Sequence, residues 1–255
     1  MISSNLPHDH RERMERARLS LEGAAIGDAL GEMLSSNCAK ARERVERGLP
    51  AGPWFHTDDT EMALSIYEVL DRHGRIVPDE LAMRFAERFR HDPDRGYGQM
   101  TRITLRAVLG GQEWRKAAAS AFSGAGSLGN GGAMRVAPLG AYFAEQPESI
   151  LRAEAVVSAS ITHAHREGQA GAVAIAVAAA MAWKLRGEPK EQAARQLLEA
   201  VYEQTPEGET RTGIAKALKL PLFSMPRIAA RVLGNGSQVS APDTVPYALW
   251  SAARH

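Results

Sequence analysis

The feature that most restricts the fold is a missing pattern. No stretch of the chain sustains apolar and polar alternation with a period of two, and β-branched residues are scattered rather than clustered. Apolar residues recur instead at three- and four-residue intervals, the mark of helices with one buried face. Met62, Ala63, Ile66, Val69 and Leu70 follow this spacing after Asp58, up to a glycine stop at Gly74. Leu81, Phe85 and Phe89 repeat it within 79–90, and Asp92-Pro93 closes that segment. Further helices are expected over 99–109, 114–122, 133–143 with an interruption at Pro138, 148–160, 165–185, 190–202 and 242–253. With 255 residues and 44% hydrophobic composition, the chain can bury a large core. The expectation is an all-α fold, a single compact multi-helix domain over 1–255.

The first helix, read over 11–30, passes from charged residues into Leu19, Leu21, Ala24, Ala25, Ile26 and Leu30, so it should be exposed early and buried late. Its end reads Gly23-Ala24-Ala25-Ile26-Gly27-Asp28-Ala29-Leu30-Gly31. Three glycines weaken a helix unless a backbone or ligand approaches closely. Asp28, among apolar neighbours, needs a partner, whether a backbone donor, a cation or a metal-bound water. The charged stretch 42–47 reads as a solvated helix, followed by a loop containing Gly48, Pro50 and Pro53.

Composition removes several classes of function. A formal charge of +1 gives no bulk attraction to nucleic acid or to an anionic membrane. One cysteine, Cys38, excludes an intramolecular disulfide framework, and nothing marks it as an activated thiol. The apolar run Ala170 to Trp183 is too short to span a bilayer, and the charged amino terminus lacks a signal-type core. A soluble cytoplasmic protein is the expectation.

Three segments carry chemistry. His56-Thr57-Asp58-Asp59-Thr60-Glu61 places hydroxyls and two adjacent carboxylates at a helix start, the oxygen set that hard divalent cations prefer. The same residues also suit plain N-capping and complement a helix dipole. The stretch from Ser123 to Arg135 holds five glycines between 124 and 132, too many for a helix or strand, and reads as a loop able to present backbone N–H groups to a phosphate. Lastly, Thr162-His163-Ala164-His165 puts two histidines at i and i+2, off a common helix face, so one histidine contacting a ligand at a helix junction is favoured over a two-histidine metal site.

In order, GAAIGDALG at 23–31, TDDTEMAL at 57–64, GNGGAMRVAP at 129–138 and THAHREGQAGA at 162–172 resemble the ADP-ribosylglycohydrolase family. The resemblance covers 23 to about 250. It implies an all-helical, Mg²⁺- or Mn²⁺-dependent hydrolase that cleaves the bond between ADP-ribose and a modified protein side chain or small molecule. It also implies that Thr57, Asp58 and Asp59 are the first group of ligands in a two-metal site, with Asp58 and Asp59 catalytic. By the same resemblance Asp28, Gly129, Asn130, Gly131, Gly132, Met134 and His163 contact the substrate, Arg135 continuing the third motif. The family's gating carboxylate usually stands a few residues after the first motif; here Glu32 directly follows Gly31, and Ser35 occupies the usual place.

One departure matters. A GDxDT-like block that closes the family's metal site is absent, and Asp243-Thr244 resembles only the segment before it. The chain is therefore expected to be C-terminally incomplete, with an unfinished core near Trp250 that favours self-association. Two other readings stay open: a non-catalytic ADP-ribose-binding protein or inactive homologue, and an all-helical prenyl diphosphate enzyme using Asp58 and Asp59. The latter would need a second late acidic motif, which is absent.

Overall fold

The computed structural model describes residues 6–35, 41, 43, 45–49 and 51–255. Cys38, together with Arg42 and Arg44 of the charged stretch, lies outside the described residues. Among them the elements are helical: α1 (His10–Ser35), α2 (Asp58–His73), α3 (Pro78–His91), α4 (Gln99–Leu109), α5 (Trp114–Ser120), a 3₁₀ turn (Ala121–Gly124), α6 (Gly131–Met134), α7 (Ala137–Tyr142), α8 (Glu148–Ser160), α9 (Arg166–Lys184), α10 (Lys190–Gln204), α11 (Glu209–Lys219), α12 (Pro226–Leu233) and α13 (Ala241–Arg254). A lone antiparallel bridge joins Gly129 to Ser240 among the described residues.

The Ala-rich α9 is the axis of the bundle, touching α6, α7, α8, α10 and α13. Its small side chains allow this. Gly140 on α7 lies so close to the Ala176 backbone of α9 that no side chain fits between them. The α1 helix covers α7 and α2, and α2 in turn packs on α3. The main core runs through Met62, Ile66, Leu70, Phe85, Leu105, Leu139, Val173 and Leu249. No helix among the described residues is long and apolar enough to cross a membrane.

Several boundaries follow from local chemistry. Thr57 caps α2, and Gly74, in the left-handed region at φ 66°, ends it as expected. Pro138 starts α7 instead of interrupting a longer helix, because proline is tolerated where the first N–H has no helical partner. Two helices not expected from periodicity, α11 and α12, fill the span between 209 and 233.

The expected polarity of α1 is reversed. Arg13, Met14, Arg16 and Ala17 are buried at its start, while Gly23, Ile26, Gly27 and Gly31 are exposed near its end. The arginine stems account for the burial: Arg13 lies over the Tyr142 ring and Arg16 over Trp183, so long cationic side chains cover apolar surface. Nothing stands within 4 Å of a Cβ placed on Gly23, Gly27 or Gly31, so close packing is not their reason. The expectation of an unfinished core near Trp250 is also corrected. Trp250 is 1% exposed and forms a second apolar cluster with Ala217, Ala229 and Leu233.

Candidate active site

The start of α2 is fixed by α1. Asp28 Oδ2 accepts from Thr57 N–H at 2.8 Å, Thr60 N–H at 3.2 Å and the Thr60 hydroxyl at 2.6 Å. Its Oδ1 accepts from the Thr57 hydroxyl at 2.7 Å. Two donors of a helix N-terminus and two hydroxyls thus close on one carboxylate, the partner that a half-buried aspartate requires. Thr57 Oγ1 accepts in return from Asp59 N–H at 3.3 Å, as an N-cap does.

This geometry leaves Asp58 and Asp59 adjacent in a partly dry site. Burial pushes the Asp58 carboxyl up to about 7, with the neighbouring Asp59 and Asp28 charges adding to the effect. Asp59 rises to about 6 from burial and then from Asp28, Glu32 adding a smaller push from the next turn of α1. Asp58 and Asp59, raised by burial and by the neighbouring Asp28 and Glu32 charges, leave a concentration of negative charge that a cation would relieve.

Beneath it lies the fully buried Arg135. Its guanidinium sits 4.4 Å from the centre of the Phe85 ring, donates to the Ser158 carbonyl at 3.0 Å and points another nitrogen at Met62 Sδ at 3.5 Å. Burial pulls its pKa down to about 9, with Asp58 opposing. It is still a cation at neutral pH. Burial first and then the Arg135 charge press His163, in the other half of the site, down to about 3. His163 is therefore neutral, with Nδ1 2.8 Å from Thr162 Oγ1.

His163 lies under the glycine-rich loop. A Cβ on Gly131 would stand 2.6 Å from His163 Cε1, and one on Gly129 would stand 3.2 Å from Nε2. The glycines let the loop backbone lie directly on the imidazole. The loop is held from its other side by residues before and within α13. Asn130 N–H donates to the Val239 carbonyl at 3.2 Å, Ala241 N–H to Leu128 at 3.0 Å, and the Asn130 amide to Thr244 Oγ1 at 3.2 Å.

Sequence reasoning missed Ser240 and Thr244 as loop supports. The only signal was the Asp243-Thr244 pair, whose aspartate instead accepts from Asn235 N–H and Gln238 N–H and closes a turn. Of the residues singled out in sequence, Asp28, Thr57, Asp58 and Asp59 share one cluster, while Gly129, Asn130, Gly131 and His163 form a second. Gly132 is buried against Ala159 and Gly168, and Met134 packs on the main core.

The donor types suit Mg²⁺ or Mn²⁺: hard oxygens, two of them on carboxylates buried beside like charges. Their number is smaller than a closed site needs. Among the described residues no group of three or more His, Cys, Asp or Glu side chains converges closely enough to hold a metal.

Comparison with known proteins is consistent in one direction. The family model described as ADP-ribosylglycohydrolase matches residues 9–255. The ADP-ribosylhydrolase ARH3 of Xenopus tropicalis is 31% identical over 272 residues, an alignment covering 94% of this chain and 75% of the frog protein. ARH3 of Homo sapiens is 31% identical over 175 residues, covering 63% of this chain and 48% of the human protein. That alignment takes in about half of the human protein. A solved structure of an ADP-ribosylglycohydrolase-related protein complex superposes with a TM-score of 0.61 at 27% identity, covering 96% of this chain and 77% of that one.

Proposed function

We propose, since the chain belongs to the ADP-ribosylglycohydrolase family, that it hydrolyses the glycosidic bond joining ADP-ribose to a modified protein side chain or a small molecule. The observation that carries this reading is the pair Asp58 and Asp59, held at the start of α2 by Asp28, with the charge of the buried Arg135 acting both on Asp58 and on His163 under the glycine-rich loop.

In this reading the loop backbone at Gly129, Asn130 and Gly131 receives the ADP-ribose, with Gly132, Met134 and the neutral His163 shaping the loop from behind. Asp28 serves the substrate through Thr57. Thr57, Asp58 and Asp59 would hold Mg²⁺ or Mn²⁺, which when bound orients the sugar hydroxyls and a water. One aspartate accepts a proton from that water as its oxygen bonds to the ribose C1″ carbon. The bond from C1″ to the leaving nitrogen or oxygen breaks, and the leaving atom takes up a proton.

The shortage of acidic ligands favours a second reading, an ADP-ribose-binding protein without turnover. Titration calorimetry with ADP-ribose, with and without Mg²⁺, combined with hydrolysis assays on ADP-ribosylated peptides, separates the two. Hydrolysis that requires the metal and is abolished in Asp59→Asn, with the helical circular dichroism unchanged, supports the enzyme. Hydrolysis retained in Asp59→Asn sinks it, and ADP-ribose binding that ignores the metal supports the second reading.

A further inference from the structure

Both halves of the site are braced from outside. Ahead of the acid pair, the Arg95 guanidinium donates to the His56 carbonyl at 3.0 Å. The glycine-rich loop has a larger support, a turn wound around one side chain. Asp243, in the first turn of α13, accepts from Asn235 N–H on Oδ1 at 3.2 Å and from Gln238 N–H on Oδ2 at 2.9 Å, and its carbonyl accepts from Gly236 N–H at 3.2 Å. Gly234 opens the turn at φ 96°, where a Cβ would collide with the Asp243 carbonyl. Val239 N–H closes it on the Gly236 carbonyl at 3.0 Å. The start of α13 is in turn seated on α9, since a Cβ on Gly171 would stand 2.6 Å from Ala241 Cβ.

Val239 leaves the turn in the left-handed region at φ 52°, a conformation disfavoured for a β-branched residue and kept only where the surroundings impose it. Its side chain is 62% exposed, so packing does not impose it. The consequence lies on the backbone. The Val239 carbonyl accepts from Asn130 N–H at 3.2 Å, and the next residue, Ser240, bridges to Gly129.

From this geometry we propose that Asp243 is a positioning residue for the substrate: by holding the turn from Gly234 to Val239 it keeps Val239 in its strained conformation, and so fixes the loop backbone at Gly129 and Asn130. This rests on the reading above, in which that loop receives the ADP-ribose. A carboxylate with an oxygen for each of two N–H groups can hold a strained turn closed. Without it, Val239 relaxes to negative φ and its carbonyl swings away from Asn130. The loop must then be ordered at each binding event, which is paid in affinity.

The test is titration calorimetry of the full chain with ADP-ribose, together with thermal unfolding and with kcat and KM for an ADP-ribosylated peptide. Asp243→Ala should weaken ADP-ribose binding by about 3–10-fold, what one ordinary hydrogen bond amounts to, and raise KM in step with kcat unchanged. Asp243→Asn, which keeps one acceptor oxygen, should fall between. Adding Val239→Gly to Asp243→Ala should recover part of the affinity, because glycine takes up positive φ without being held there. A purely structural role would lower the melting temperature of Asp243→Ala but leave ADP-ribose affinity and KM of the folded protein at wild-type values, and that result overturns the proposal. So does a double variant that binds no better than Asp243→Ala. If Asp243→Ala shows no cooperative unfolding transition, Asp243→Asn decides, and wild-type affinity and KM there are equally fatal. A wild-type chain that does not bind ADP-ribose overturns the functional reading itself, and this inference with it.

Discussion

Asp28 holds Thr57 from two directions, taking its backbone N–H on one carboxylate oxygen at 2.8 Å and its hydroxyl on the other at 2.7 Å. The two residues are 29 positions apart, so the contact is the stitch by which α1 and α2 come together at the site. Sequence spacing offered no way to see it, because Asp28 lies outside the Asp58 motif and its partner is a hydroxyl that was already accounted for as a cap.

Replacing that carboxylate should therefore be costly. Asp28→Asn keeps the shape but turns an NH₂ group toward donors that need an acceptor. Hydrogen bonds to a charged group contribute about 1.5–3 kcal/mol each, so the loss should be at least about 2 kcal/mol. For a domain of this size that is a fall of roughly 4–8 °C in melting temperature. Thermal unfolding by circular dichroism reads it directly, and an unchanged melting temperature contradicts the stitch.

The glycine loop gives a paired prediction. Gly131→Ala puts a methyl 2.6 Å from the His163 ring, which is itself buried, so one of them must shift. Overpacking of this kind costs about 1–3 kcal/mol. The cost should shrink when His163→Ala opens the space. A double-mutant cycle by urea denaturation measures this, and additive effects would show that the loop does not rest on the ring.

Acid sensitivity should be traceable in part to Glu167. Burial alone would raise its pKa, but the backbone N–H and hydroxyl of Thr210, then the backbone N–H of Glu209, outweigh that and hold it below the ordinary glutamate value of 4.5. A carboxylate with a lowered folded pKa adds stability above its unfolded pKa, and that stability disappears as pH falls through the folded value. Below about 4.5 the wild type should therefore lose stability faster than Glu167→Gln, which at neutral pH starts lower. Denaturant midpoints measured from pH 7 down to about 3 test the slope.

Trp250 belongs to the folded core. Its indole is 1% exposed and packs against Ala217, Ala229 and Leu233, so Trp250→Ala should cost about 3–5 kcal/mol. A near-neutral effect in equilibrium unfolding would mean that α13 is attached more loosely than the structure shows.

What sequence could reveal divides along the same physical line. The helices with one clean apolar face, such as α2, α4 and α8, were legible to the residue, because their periodicity and stop residues are local. The burial of α1 was misread because Arg13 and Arg16 count as polar in a pattern but cover aromatic rings with their stems. The helices α11 and α12 went unseen between turn-forming residues. At the site, the chemistry of Thr57, Asp58 and Asp59 was readable from adjacent letters. Arg95, Ser240 and Thr244 were not, since each acts through a contact between distant segments that only the folded chain creates.

The stitch between Asp28 and Thr57 also makes the acid pair an instrument for reading α1. Anything that draws the oxygens of Thr57, Asp58 and Asp59 into one arrangement favours the docked state of the first helix, and by thermodynamic reciprocity a detached α1 must release whatever those oxygens hold. If those oxygens take up Mn²⁺ as proposed, protease cleavage within the exposed later turns of α1 should slow when the ion is added, so the amino-terminal helix would report occupancy of a site that it only borders through Asp28 and Glu32.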